Sequence, residues 1–245
     1  AIVLLPLLVT KSTMFSFIFG KIIFFQIFVS ITFGAWVLLM LKNSKYRLNW
    51  KHPLIVSPAL FLLTLFITSL FGVDLYNSLW SSQERMLGII TIIHFYVWFC
   101  ILATVYTSWI QWRTLFIISC VTSILVFFLG FSSGITQHMQ STIGNQLFLA
   151  NYAVLHLYLA LCLFFFEKKR SMKVFFMSTA IISFITIFFT GERTPLIVLA
   201  FGIFLLPLCL FFTINSWKVK KCSIAVYCVL ALMGAGLFWF TTPQG

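Results

Sequence analysis

Polar residues in this chain come in short clusters, and between the clusters the sequence is apolar for about twenty residues at a time. After a stretch of about nine apolar residues ahead of Lys11, full runs fall at roughly 22–41, 54–71, 87–106, 114–130, 147–166, 172–190, 195–214 and 222–240. Each is close to the ~20 residues needed to cross the hydrocarbon core of a bilayer. Backbone in lipid has no water to bond to, so such runs predict helices. The pattern therefore predicts an all-α, polytopic transmembrane helix bundle of about nine segments, built as a single domain over 1–245. The opening stretch is too short to span. It has no basic n-region and no A-x-A cleavage site, so it does not read as a signal peptide. It predicts the end of a helix whose start is missing. With Thr241–Gly245 closing the sequence just past the last run, the chain reads as a fragment truncated at both ends.

Composition agrees with this picture. Hydrophobic residues make up 62% and charged residues 8%, against about 25% charged in soluble domains. The net charge of +12 comes from 16 Lys and Arg against 4 Asp and Glu. The basic residues sit in short loops rather than on one face of a domain, which argues against nucleic acid as a partner. Lys42, Lys45, Arg47 and Lys51 share one loop, and Arg113 lies in another. Lys168, Lys169, Arg170 and Lys173 share a third, and Lys218, Lys220 and Lys221 a fourth. These loops alternate along the chain and so fall on one side, which the positive-inside rule makes cytoplasmic. The other side carries only Lys11, Lys21, Arg85 and Arg193. The six Cys lie in or beside apolar runs without a C-x-x-C spacing, so neither a zinc site nor a disulfide framework is indicated.

This sidedness isolates candidate chemistry. Asp74, Glu84 and Glu192 lie on the outer side, and two of them directly precede its only arginines, as Glu84-Arg85 and Glu192-Arg193. Ser81-x-x-Glu84 has the form of a capping box, which predicts a helix start at Ser81 with Arg85 in the first turn. Arginine there opposes the helix dipole unless an anion is present, and the same end offers amides to phosphate. The bland alternative is an arginine snorkelling to the interface. In Thr190-Gly191-Glu192-Arg193-Thr194-Pro195, Gly191 suits a helix end, Thr194 an N-cap and Pro195 a first helical position. Ahead of it, Thr179, Ser183, Thr186 and Thr190 form a hydroxyl stripe leading to Arg193. That stripe reads equally as a packing seam whose hydroxyls bond their own backbone. Asn145, Tyr152 and His156 share a helix face running into the membrane. They line either a polar cavity or a set of interhelical hydrogen bonds. His52, His94 and His138 carry weaker signals and read as packing or loop residues. No Walker loop, H-E-x-x-H or G-x-S-x-G occurs, and four scattered acids do not make a magnesium site, so no metal and no cofactor is expected.

Several segments, in order, resemble the O-antigen ligase and O-antigen polymerase superfamily of bacterial membrane proteins. They are Phe19-Gly20-Lys21, Phe71-Gly72-Val73-Asp74 running on through Ser78 to Gly88, Ile143-Gly144-Asn145 running on to Tyr152, and Thr190-Gly191-Glu192-Arg193. The similarity spans nearly the whole chain. Two positions depart from it: Glu192, where the family more often has Ser, and Gln146-Leu147, where it often has Pro and a small or polar residue. The resemblance implies metal-independent glycosyl transfer at the outer face of the bacterial inner membrane. The donor would be a polyprenyl-diphosphate-linked glycan in the membrane lipid. The acceptor would be lipid A core, a second glycan or a protein. It casts Arg85 and Arg193 as catalytic, stabilising charge on the diphosphate. Lys21, Glu84, Glu192, Asn145, Tyr152 and His156 become substrate-binding. The family's large outer loop with its His would begin where this chain stops, so the fragment alone is expected to be inactive. The alternative expectation is a transporter of a small anion, of the inorganic-carbon type, or of lipid-linked sugar.

Overall fold

A computed structural model describes residues 2–10, 13, 15–82, 84–132, 139–213, 217, 220, 221 and 224. Among these the chain is helical, with no strand: α1 (Phe19–Lys42), α2 (Pro53–Leu70), α3 (Leu75–Trp80), α4 (Ile89–Val105), α5 (Trp109–Ser132), α6 (Gln146–Phe166), α7 (Arg170–Thr190) and α8 (Arg193–Thr213). Short 3-10 turns occur at Ile2–Leu7, Ser44–Tyr46 and Ser141–Ile143. Helix ends fall where local chemistry puts them. Pro53 opens α2 behind His52, whose side chain accepts the Leu54 amide. Asn145 caps α6 by accepting the amides of Leu147 and Phe148. Gly191 ends α7 in the left-handed conformation at φ 71°.

The protein is a helical, multi-pass membrane bundle. Large apolar side chains such as Phe71, Phe128, Leu155 and Phe165 stand exposed around the helices, as surfaces facing lipid require. The expected count of nine segments is not what the structure carries. Among the described residues, five helices are long and apolar enough to cross a bilayer: α1, α2, α5, α6 and α7. α4 has 17 residues, about 25 Å of helix against a ~30 Å core. Glycine at 88 lets it start against the end of α3, and Tyr106 leaves the helical conformation at its other end. α8 is apolar at Arg193–Gly202. The opening apolar stretch is a 3-10 helix at Ile2–Leu7 containing Pro6, not the end of a membrane-spanning α-helix. The run at 222–240 lies outside the described residues.

The helices divide into two compact units, Ala1–Gly191 and Glu192–Gly245. Within the first, α1 and α2 pack on α4, while α5, α6 and α7 pack on one another, the α6–α7 pair most extensively. The Ile2–Leu7 turn lies against α1, α5 and the Ser141–Ile143 turn, and so joins the two groups of three. In the first group Trp36, Cys100 and Ile101 are buried together. In the second, Cys120, Leu163 and Phe176 are.

Candidate functional site

The segment around Arg85 is a tight turn rather than a helix start. Asp74 caps α3, its carboxylate accepting the Asn77 amide at 3.0 Å and the Asn77 side-chain amide at 2.7 Å. Ser81 then ends α3 at φ 64°. The capping-box expectation fails because Ser81 ends α3 with a positive φ and an extended ψ, and α4 begins at Ile89, behind Gly88. A Cβ at residue 88 would lie 2.1 Å from the Leu79 carbonyl oxygen, so the close approach of α3 to the start of α4 requires glycine. Met86 also has a positive φ, of 48°. The amides of Arg85 and Met86 both donate to the Ser82 carbonyl, at 3.1 and 2.9 Å. Thr91 in α4 donates to the Met86 carbonyl at 2.6 Å and accepts from Gln26 of α1 at 3.0 Å. The turn is thereby fixed to two helices, while the side chains of Glu84 and Arg85 stay exposed.

Lys21 stands in the first turn of α1 and donates to the Thr142 carbonyl at 2.6 Å. It borders a cleft of about 370 Å³ whose other walls are apolar, among them Ile2, Pro6, Phe25 and Ile143. Thr142 belongs to the turn that leads into Gly144 and Asn145. Gly144 has φ 78°, and a Cβ there would lie 2.2 Å from Cγ of Phe17. Ser141, at φ 53°, completes the positive-φ non-glycine residues among those described. Ser81 and Met86 fall in the Phe71–Gly88 stretch singled out by the sequence, and Ser141 lies two residues ahead of the Ile143-Gly144-Asn145 segment. Such conformations cost about 1–3 kcal/mol each and persist where surroundings hold them. α1 supports both segments, one through Gln26 and the other through Lys21.

The polar face of α6 does not open onto that cleft. Asn145 is exposed and occupied as a cap. Tyr152 stacks on His156 with ring centroids 4.1 Å apart and meets Phe127 at 5.9 Å. His156 is 2% exposed. Its Nδ1–H donates to the Tyr152 carbonyl at 2.9 Å, so Nε2 accepts the Ser119 hydroxyl of α5, also at 2.9 Å. Both ring nitrogens are satisfied by an interhelical arrangement. His94 repeats it, with Nδ1 on the Ile90 carbonyl at 2.7 Å and Nε2 at 3.3 Å from the Ser30 hydroxyl of α1. His138 lies outside the described residues.

The hydroxyl stripe of α7 is a packing seam. Thr179, Ser183, Thr186 and Thr190 are fully buried. They donate to the carbonyls of Phe175, Thr179, Ile182 and Ile187 on their own helix. In the second unit, α8 starts at Arg193 itself. The helix therefore begins two residues before the expected first position at Pro195. Glu192 is partly buried and Arg193 exposed at the helix start.

Among the described residues the one ion pair lies elsewhere. Arg113, read from sequence only as a topology charge, donates through Nε and Nη2 to one oxygen of Glu167, at 2.9 and 2.5 Å. The other oxygen accepts the amides of Lys168 and Lys169 at 3.0 and 3.2 Å. Arg113 first, and these amides with it, hold the Glu167 carboxyl below its ordinary value. The available signal was Glu167 itself, the lone acid in the basic loops. No family model, no curated protein and no solved structure matches the chain.

Proposed function

We propose that this protein transfers a glycan from a polyprenyl-diphosphate carrier to an acceptor at the outer face of a bacterial inner membrane, as the resemblance to O-antigen ligases and polymerases implies. The carrier lies in the membrane lipid, and the acceptor is lipid A core, a second glycan or a protein. The observation that carries this reading is the concentration of strained backbone in the Arg85 and Gly144 turns, both tied to the first half of α1. Strain retained in two turns of an otherwise regular bundle is what preorganised binding loops show. As the bond from sugar to diphosphate breaks, negative charge grows on the leaving group. Arginine pairs phosphate oxygens in a planar fork and stabilises that charge without a metal. Arg85 and Arg193 take this role, and Lys21 adds positive charge beside the apolar cleft. Glu84 and Glu192 orient the arginines. Asn145 holds the Gly144 turn through its cap. Tyr152 and His156 support that turn's helix from inside the bundle.

The test is Arg193→Lys in the complete protein, which keeps the charge and removes the fork. Glycan product is expected to fall by at least tenfold, with membrane abundance unchanged, since a lost charge-assisted contact is worth about 1.5–3 kcal/mol. Product at the wild-type level would rule out the phosphate clamp. An anion or lipid-linked sugar transporter would instead show uptake into vesicles that contain no lipid-linked glycan. The deeper polar groups described in α1, α4, α5 and α6 bond one another. They form no midplane site of the kind transporters build from broken helices.

A further inference from the structure

We infer that the cleft between the Lys42–His52 loop and the neighbouring ends of α2 and α4 binds the headgroup of an anionic phospholipid. The cleft has a volume of about 360 Å³ and two unlike sides. One side is cationic and polar, with Lys45, Arg47 and His52. The other is apolar, with Leu54, Phe99 and Ala103 continuing along the helices. Leu54 and Phe99 are exposed to the surroundings of the bundle, at 64% and 38%. A ligand that satisfies both sides carries an anionic head and a hydrocarbon tail.

The donors are available. Arg47 uses only Nε within the protein, on the Met40 carbonyl at 3.5 Å, which leaves both terminal nitrogens of its fork. His52 accepts the Leu54 amide through Nδ1, so its proton sits on Nε2 and can be donated. Lys45 lies 6.0 Å from the Tyr46 ring and meets no carboxylate. None of the four acids in the sequence lines the cleft. A second basic cleft, of about 270 Å³ at Arg113, Lys168 and Lys169, differs on this point. It contains Glu167, which already occupies the Arg113 fork. Uncompensated cations above an apolar wall, at the loop end of a membrane helix, have the chemistry of a phospholipid phosphate site. The other basic cleft supplies its own anion.

Native mass spectrometry of the whole protein in neutral detergent tests this, with phosphatidylglycerol, phosphatidylcholine or inorganic phosphate added. Phosphatidylglycerol is expected to be retained at concentrations at least tenfold below phosphatidylcholine. Lys45→Gln with Arg47→Gln should weaken that retention by about tenfold or more, since each cation near a lipid phosphate adds roughly a fivefold preference. Lys168→Gln with Lys169→Gln should leave it unchanged. Lys45→Arg with Arg47→Lys should retain the lipid, which separates lost charge from lost folding. Equal retention of the two phospholipids would overturn the proposal, as would equal losses in the two glutamine pairs. Inorganic phosphate alone displacing the lipid at similar concentration would also overturn it, by removing the tail from recognition.

Discussion

Gly144 is the residue at which a single hydrogen in place of a side chain decides most. Its φ of 78° is strained for any L-residue with a Cβ, and Phe17 fills the space that a Cβ would need. Gly144→Ala is expected to lower stability by about 2 kcal/mol or more, the sum of a left-handed alanine and an overpacked contact. Thermal unfolding in detergent measures it. Adding Phe17→Ala should recover the steric part and leave the conformational part. The sequence placed Asn145 on the polar face of a helix, whereas it stands at the cap of α6. That Phe17 closes over the glycine was not legible either, because the two residues are distant in sequence and only packing brings them together.

Among the elements, α6 and α7 show what polar residues do at membrane depth here. The α7 stripe turns its hydroxyls onto its own carbonyls, which leaves small, smooth positions for close approach of a neighbouring helix. On α6, which packs on α7, Ala150, Ala153 and Ala160 are likewise fully buried. Ser183→Leu should therefore cost about 1–3 kcal/mol through overpacking. Ser183→Ala should cost less than about 1 kcal/mol, because its carbonyl partner keeps its helical bond. The same unfolding assay distinguishes the two. Equal losses would mean that the hydroxyl, and not its size, is what the seam needs. His94 and His156 obey a second rule, each spending Nδ1–H on its own helix and Nε2 on a serine of the next. Spacing put Tyr152 and His156 on one face correctly. It left open whether that face lined a cavity or met a helix, and burial of His156 answers this.

At the scale of the molecule, the first unit is two groups of three long helices, with the short α3 packed on α2 and α4 of the first group. The two groups are joined by the Ile2–Leu7 turn and the Lys21–Thr142 bond. The Arg113–Glu167 pair ties α5 to the connection between α6 and α7 and makes stability depend on pH. The Glu167 carboxyl is held below its ordinary value of 4.5. Its contribution is therefore complete above that value and disappears as the pH falls through the lowered one. Thermal unfolding followed from neutral pH downward should show an acid-side loss of stability that is smaller in Glu167→Gln. An identical acid limb in the variant would assign the loss to other groups.

What the sequence determined by itself is what depends on local chemistry and on the solvent. Apolar runs of membrane length predict helices because lipid leaves the backbone no other partner. The runs at 22–41, 54–71, 114–130, 147–166 and 172–190 lie within a few residues of α1, α2, α5, α6 and α7. Gly191 announced the end of its helix, since caps act within a few residues. Only the tertiary structure decided the Arg85 turn. There the capping-box pattern gave way to a Ser81 of positive φ, and Gly88 was pressed against Leu79, held by Thr91 and Gln26 from two other helices. Only the tertiary structure paired Arg113 with Glu167, 54 residues apart. Contacts across such separations depend on which helix faces which. Where polar side chains are this sparse, no amphipathic stripe announces that Arg113 and Glu167 will meet.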